Sequence, residues 1–294
     1  MATFQTFQAV GNREDLSDLI ANISPLETPM WSGFAKTKAS GVYHEWTQDS
    51  LTAAAQGNVV EGSDATDPTL TPRVRVGNYC QSNRKVVKVS DLQDTGVVKA
   101  GIKGSEYTYQ LTKSMKEIAR DMEYSIINGT GNSGAAATAR EITGLPAFIT
   151  TNTSTAGTAR ALTETIYNDM LQTIFDAGGN PDTTYANGFQ KRQISSFTAS
   201  QTRNIQASDK KLIASVDVYE SDFGLQRIIL DRYATADEIF LIEKAKWCIA
   251  ILSPVKATEL ARTGSAKKGM LEGTWTLEAK HEGSGGKVQD LTTS

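Results

Sequence analysis

The segment that decides the fold is residues 43–91, YHEWTQDSLTAAAQGNVVEGSDATDPTLTPRVRVGNYCQSNRKVVKVSD. Both of its ends are rich in β-branched and aromatic residues, which predicts a strand on each side. Its middle, from Leu51 to Thr71, is dominated by Ala, Gly, Asn, Asp, Thr and Pro and offers little apolar surface for a core. The pattern predicts a long two-stranded arm. Because an isolated two-stranded hairpin is only marginally stable in water, this arm needs another surface to lie on.

Charge is segregated along the same arm. The middle carries three acids and no basic residue between Leu51 and Pro72, and the acids are Glu61, Asp64 and Asp67. The returning half carries only cations before Asp91, and these are Arg73, Arg75, Arg84, Lys85 and Lys88. Such a separation suits a ring of identical copies, in which each acidic tip meets a basic patch on a neighbour. The alternative is that the charges keep an exposed ribbon soluble and block edge-to-edge pairing.

The residues before the arm predict a lead-in with little core of its own. A short helix is expected at about 14–22, because apolar residues recur on one side. Pro25 and Pro29 each disfavour the helical conformation for the residue before them, so the segment 24–34 is predicted to be extended. Trp31 and Phe34 would be its apolar anchors. A loose terminus is the alternative, since chain ends are often poorly ordered.

The clearest helix follows the arm. Apolar residues recur every three or four positions, at Tyr107, Leu111, Met115, Ile118, Met122 and Ile126. This stripe predicts a spine helix at 105–128, about 36 Å long, with a left-handed cap at Asn128-Gly129. A second helix is predicted from a Thr163 cap to Gly178. Shorter strands and a third helix fill the remainder, and Trp275, Leu277 and Ala279 alternate with polar residues near the end. The sequence therefore predicts a mixed α+β fold.

Composition narrows the class of protein. The chain has 294 residues, 39% of them hydrophobic, with a formal net charge of −3. A folded chain without general attraction to nucleic acid or anionic lipid is expected. Cys80 and Cys248 have no partner motif, so free buried thiols of a cytosol-made protein are predicted. The start lacks a signal-peptide pattern, and the longest apolar run, at 247–252, is too short to cross a bilayer, so no membrane partner is predicted.

No motif predicts an enzyme, a cofactor or a metal. The stretch GTGNSG at 129–134 matches GxGxxG, but a helix precedes it where the dinucleotide fingerprint requires a strand, so a loop is predicted. His44 and His281 have no second ligand at metal-binding spacing. Cys248 lies in an apolar run, and no cleft is expected beside Cys80. The carboxylates of the spine helix alternate with Lys and Arg, which is typical of a solvated or partner-facing helix side.

Several segments, in this order, resemble the major head proteins of tailed bacteriophages with the Hong Kong 97-type capsid fold. The more specific ones are SPLETPMW at 24–31, EYSIINGTG at 123–131 and VYESDFG at 218–224. The likeness extends over nearly the whole chain. It implies an N-arm at 1–40, an extended loop at 41–90, a peripheral domain at 91–150 and 255–294 and an axial domain at 151–254. In this fold the extended loop lies across a neighbouring subunit, which would supply the missing surface.

The resemblance also implies partners. We expect pentamers and hexamers of an icosahedral shell that encloses double-stranded DNA without sequence-specific binding, in the virion capsid, after assembly in the bacterial cytoplasm. A portal and, since only about forty residues precede the arm, a separate scaffolding protein are expected. The candidate contact residues between subunits are the eight charged residues of the arm together with Trp31 and Phe34. No residues are assigned to covalent cross-linking. The alternatives are an encapsulin-like nanocompartment shell and a tail or baseplate component.

Overall fold

The computed structural model describes residues 27–65, 67, 70–97, 102, 104–197, 217–262 and 264–293. The helix predicted at 14–22 lies outside these residues. The helices are α1 (Pro29–Gly33), α2 (Glu106–Asn128), α3 (Leu145–Phe148), α4 (Glu164–Asp176) and α5 (Gly188–Phe197). The strands are β1 (Ala35–Lys38), β2 (Tyr43–Gln48), β3 (Val74–Tyr79), β4 (Gln81–Ser90), β5 (Thr130–Asn132), β6 (Glu141–Thr143), β7 (Thr153–Ser154), β8 (Thr183–Ala186), β9 (Val218–Ser221), β10 (Gly224–Leu230), β11 (Ile239–Ile242), β12 (Trp247–Leu260), β13 (Ala266–Ala279) and β14 (Gly285–Val288). The predicted α+β class is confirmed.

The strands of the described residues form two larger sheets and two hairpins. One sheet has the order β1-β12-β13-β4, and the other has the order β7-β14-β11-β8-β10-β9. The pairs β2-β3 and β5-β6 stand apart from both. Within the described ranges, no helix is both long and apolar enough to cross a membrane.

The chain divides into two compact units, and the described part of the first comprises residues 84–97, 102, 104–118, 256–262 and 264–271. Its organising group is the buried carboxylate of Asp94. Lys267 Nζ lies 2.6 Å from Asp94 Oδ2, and Ser105 Oγ donates to Oδ1 at 2.7 Å. The Tyr107 N–H donates to the same Oδ1 at 3.2 Å, which caps the start of α2. The hydrogen bonds from Lys267 and Ser105 hold the pKa of Asp94 well below its usual range.

The described part of the second unit comprises residues 27–65, 67, 70–83, 119–197, 217–255 and 272–293. Its larger core lies between α4, α5 and one side of the six-stranded sheet, and includes Tyr167, Leu171, Ile174, Ile194, Ile228, Leu241 and Val288. The predicted cap of α4 is confirmed, because Thr163 Oγ1 accepts the Ile166 N–H at 3.3 Å. Gly178 ends that helix at a φ of +85°, where a side chain would be strained.

The spine helix is confirmed as α2, with two differences in detail. Ile118, Met122 and Ile126 are buried as predicted, but Met115 is 50% exposed while Ser114 is buried. Gly129 does not have a positive φ, so the predicted left-handed cap is wrong. A Cβ at Gly129 would instead lie 2.5 Å from the Ile142 carbonyl oxygen. This glycine is therefore required by the close approach of two backbone segments and not by its own torsion angle.

The segment predicted to be extended contains a helical turn. Pro29 stands at the first position of α1, where its missing N–H costs nothing and its fixed φ suits a helix. The N–H groups of Met30 and Trp31 in this turn donate to the carboxylate of Glu123 on α2. The sequence pattern could not predict this contact, because its partners are more than 90 residues apart. β1 then pairs in parallel with β12, from Ala35 opposite Cys248.

Two strands pair with strands that belong to other predicted segments. Residues 81–90, predicted to be the end of the extended loop, form β4 at the edge of the four-stranded sheet beside β13. β14, predicted to be peripheral, pairs with β11 and β7 in the sheet formed otherwise by residues 151–254. The division of the chain into four regions remains a prediction.

Candidate subunit-contact surface

The predicted arm is an antiparallel hairpin of β2 and β3, in register from Tyr43 opposite Tyr79 to Gln48 opposite Val74. Its base is fixed by Asn78, which is 1% exposed. The Asn78 Nδ2 group donates to the Leu277 carbonyl at 2.9 Å and to that of Thr143 at 3.1 Å, and its Oδ1 accepts the Thr143 N–H. A buried amide with these partners holds the start of the hairpin rigidly.

The tip of the hairpin has no such support. Between Gln48 and Val74 no helix or strand is formed by the described residues. Four aliphatic side chains of the tip are almost fully exposed, namely Leu51 at 98%, Val59 at 85%, Leu70 at 82% and Val60 at 78%. We call these four residues the tip aliphatics. Sequence analysis missed them because two single residues and one adjacent pair, spread through a polar stretch, follow neither helical nor strand periodicity.

The structure places the predicted hairpin charges in two groups. Glu61, Asp64 and Asp67 are exposed at the tip. Arg75 lies across the hairpin from Glu45 with Nε 3.0 Å from Oε1, and Arg73 Nε lies 3.4 Å from Asp49 Oδ2. Both arginine side chains are 73% exposed. Because exposed ion pairs contribute only about 0–1 kcal/mol each, these pairs leave the arginines free to exchange partners.

The remaining predicted cations do not lie on the hairpin. Arg84, Lys85 and Lys88 are on β4, where Arg84 and Lys88 are exposed and alternate with buried Val87 and Val89. The strand thus has one polar and one buried face along its second half, and it belongs to the four-stranded sheet. The structure does not bring these cations together with Arg73 and Arg75 on one strand.

Trp31 and Phe34 pack within their own chain. The Trp31 ring meets the Trp275 ring edge-on, with centroids 5.1 Å apart. Phe34 is 2% exposed and lies edge-on to Tyr185 at 6.1 Å. They anchor the N-terminal segment as predicted, and only the half-buried Trp31 retains surface for a second copy. Their contact with another subunit stays a prediction.

The motifs considered for chemistry occupy structural positions. Thr130–Asn132, within GTGNSG, is a strand that pairs with β6, so the sequence runs from helix to hairpin and not from strand to helix. His44 Nε2 lies 3.3 Å from Glu278 Oε2, and His281 Nε2 lies 3.3 Å from the Ala177 carbonyl oxygen. Both cysteines are buried. Among the residues that the structure describes, no group of three His, Cys, Asp or Glu side chains could hold a metal ion.

Solved structures with this fold are protein shells. The chain superposes on the cyanophage A-1(L) capsid asymmetric unit with a TM-score of 0.69, at 15% identity and 99% coverage of both chains. The match to a structure from Microbacterium phage Oxtober96 has a TM-score of 0.67, at 14% identity, and covers 99% of this chain and 100% of that one. The SrpI encapsulin of Synechococcus elongatus PCC 7942 matches at 0.63, with 9% identity and 97% and 94% coverage. The fold is therefore the Hong Kong 97-type capsid fold.

Sequence comparison identifies which kind of shell protein this is. The family model described as SU10 major capsid protein matches residues 2–292, and the chain belongs to that family. It is 26% identical to the major capsid protein of Escherichia phage Phieco32, over 92% of this chain and 91% of that protein. The predicted capsid family is confirmed, and the chain is a phage major capsid protein and so a structural component of the virion capsid. The encapsulin shares the fold only.

Proposed function

We propose that this chain self-assembles into pentamers and hexamers of an icosahedral head, with the hairpin tip of each copy lying on its neighbour. The observation that carries this proposal is the exposure of the tip aliphatics on an arm whose base is rigid. Four large aliphatic side chains left exposed on one projection are apolar surface that a partner can bury. A second copy of the chain is the partner present at the highest concentration in any assembling shell.

Apolar burial outweighs charge in this contact. Fully burying one Val or Leu side chain contributes about 1.5–3 kcal/mol, so the four tip aliphatics together offer about 6–12 kcal/mol before the entropy of ordering the tip is subtracted. An exposed ion pair contributes about 0–1 kcal/mol. The three tip acids and the arginines Arg73 and Arg75 therefore set the register and direction of the contact, while the aliphatic side chains supply its strength.

The charged part of the contact can be tested by reversal. Changing Arg73 and Arg75 to Glu is expected to reduce assembly several-fold at low salt, because each acidic tip then meets an acidic strand, and to leave the unfolding midpoint of the chain unchanged. Adding Glu61→Lys and Asp64→Lys should restore part of the assembly. Light scattering at low and high salt measures both effects, since screening over about 8–10 Å weakens exposed pairs. Unchanged assembly of the arginine variant would leave these residues only a role in solubility.

The overall proposal is tested by expressing the chain with its neighbouring genes and imaging the particles by negative-stain electron microscopy. Closed shells with pentameric and hexameric units are expected. Rings or tubes would indicate a tail or baseplate component, and shells filled with an enzyme would indicate a nanocompartment. A chain that stays monomeric at every concentration and salt would contradict the proposal.

The proposal extends to the other components of the head. The shell would enclose double-stranded DNA without binding a particular sequence. The formal net charge of −3 agrees with this, because it gives the chain no general attraction to the phosphate backbone. The proposal also includes a portal and a separate scaffolding protein, and it places assembly in the host cytoplasm. We propose a structural role for this chain and no catalytic activity.

A further inference from the structure

Two carboxyl groups are buried close together in the second unit. Glu123 on α2 and Asp231 after β10 are both 0% exposed. The Glu123 oxygens accept the N–H groups of Met30 and Trp31, at 2.8 and 2.6 Å. Asp231 Oδ1 accepts the Tyr233 N–H at 2.8 Å, whereas its Oδ2 has no donor in the described part of the chain.

Two carboxylates in a dry interior cannot both be ionised without a large electrostatic cost, so such a pair shares one proton. The Glu123 and Asp231 side chains interact with each other, so a shared proton can join them, and Asp231 Oδ2 is the oxygen left without another donor. Burial is the main cause that raises the pKa of Glu123 to about 8 and that also raises the pKa of Asp231.

The charged and titratable groups around the pair do not neutralise it. Lys36 on β1 faces Glu123, but its Nζ stands 4.1 Å from the centre of the Trp31 ring, and burial lowers its pKa to about 8. Tyr185 on β8 has a hydroxyl without a partner among the described residues, and burial followed by the negative charge of Glu123 raises its pKa. Asp182 adds to that negative charge.

Two further cations lie on the elements nearby. Arg120 lies one turn before Glu123 on α2. Its Nε donates a hydrogen bond to the Tyr233 hydroxyl at 2.7 Å and not to a carboxylate of the pair. Lys244 lies beside Gly33 at the end of α1, where its Nζ is 3.3 Å from the position that a Cβ would take. Within the described residues, neither cation forms an ion pair with Glu123 or Asp231, so the proton remains the group that balances the pair.

We propose that the Glu123–Asp231 pair is a proton-dependent latch that holds α1 on α2 and releases it when the shared proton is lost. With one proton present, Glu123 stays beside Asp231 and accepts the first two N–H groups of α1. When that proton passes to solvent, the two carboxylates repel each other, and Glu123 gives up its bonds to Met30 and Trp31 as it turns away. The latch lies within one chain and does not depend on the proposed assembly.

The sign of the pH dependence follows from the proton count. The folded chain keeps a proton on Glu123 that the unfolded chain releases above its ordinary pKa of 4.5. Stability therefore falls as pH rises from that value and levels off above about 8. Lys36, whose pKa is lowered, contributes in the opposite direction, but only above about 8. Between pH 4.5 and about 8, the change in stability with pH therefore reports on the Glu123–Asp231 pair without the opposing contribution of Lys36.

The test compares the wild-type chain with Asp231→Asn between about pH 5 and about pH 8, in a buffer where sedimentation shows one assembly state. The Asn amide can donate to an ionised Glu123, so the variant needs no shared proton. We expect the folding equilibrium constant of the wild type to fall about tenfold more per pH unit than that of the variant, since one proton is linked. Hydrogen exchange at the Met30 and Trp31 amides, corrected for its intrinsic pH dependence, should accelerate with pH only in the wild type.

Two matched variants control for general charge effects. Asp176→Asn removes an exposed carboxylate from α4, and Lys36→Arg keeps a positive charge at that site, so both should retain the wild-type slope. Equal slopes for the wild type and Asp231→Asn would overturn the latch. If Asp231→Asn does not fold, infrared spectroscopy of the wild type decides: a protonated carboxyl band at pH 7 that disappears by about pH 9 supports the latch, and its absence at pH 7 refutes it.

Discussion

Replacing residues 52–70 with a short Asn-Gly turn is expected to abolish shell assembly and to leave the cooperative thermal unfolding of the chain unchanged. The tip contributes almost no burial to its own chain, since its aliphatic side chains are between 78% and 98% exposed. The base of the hairpin keeps Asn78 and its partners, and an Asn-Gly turn suits a two-residue connection between antiparallel strands. Light scattering for assembly and circular dichroism for unfolding measure the two effects separately.

Two substitution sets divide this effect between apolar and charged groups without changing the length of the tip. Changing the four tip aliphatics to Ser should lose nearly all assembly, because it removes about 6–12 kcal/mol of potential burial. Changing Glu61, Asp64 and Asp67 to Ser should weaken assembly only modestly. The opposite order would show that charge supplies the strength of the contact. Loss of cooperative unfolding in the shortened chain would show that the tip belongs to the core.

Trp275→Ala is expected to lower the free energy of unfolding by about 3–5 kcal/mol, as removal of a large buried aromatic ring generally does. Trp275 is 1% exposed on β13, and its ring supports the Trp31 ring at 5.1 Å. Its Nε1 donates to Asn83 Oδ1 at 2.9 Å. The substitution therefore leaves a cavity, an Asn83 Oδ1 that keeps only the longer bond from Gln81 Nε2 at 3.4 Å, and a Trp31 ring without its aromatic partner. Urea unfolding followed by circular dichroism measures the loss.

Matched substitutions separate the parts of this effect. Trp275→Phe keeps an aromatic ring but loses the bond to Asn83, so a cost of about 1–3 kcal/mol is expected. Trp31→Ala removes a half-buried ring and should cost less than Trp275→Ala. A loss below about 1 kcal/mol for Trp275→Ala would contradict this account, since it would mean that the site collapses around the missing ring.

The sequence by itself determined the elements whose signal is local. The spine helix and α4 were predictable because an apolar stripe with a period near 3.6 residues has one solution, and because Thr163 and Gly178 mark the ends of α4 by their own chemistry. The hairpin was predictable because two β-rich runs enclose a segment with little apolar content. The order of these elements, with the segments at 24–31, 123–131 and 218–224, was sufficient to suggest the capsid family that the comparison confirmed.

Only the tertiary structure decided which elements meet. The pattern of β4 is equally compatible with a hairpin and with a sheet edge, because alternation shows which face is buried and not against which strand. β14 joins the six-stranded sheet through pairing with β11, and Gly129 is needed because Ile142 passes close to it. Glu123 and Asp231 are distant in sequence and carry no periodic signal, yet the fold buries them side by side. Such pairings depend on long-range packing, whose energies no local window of sequence contains.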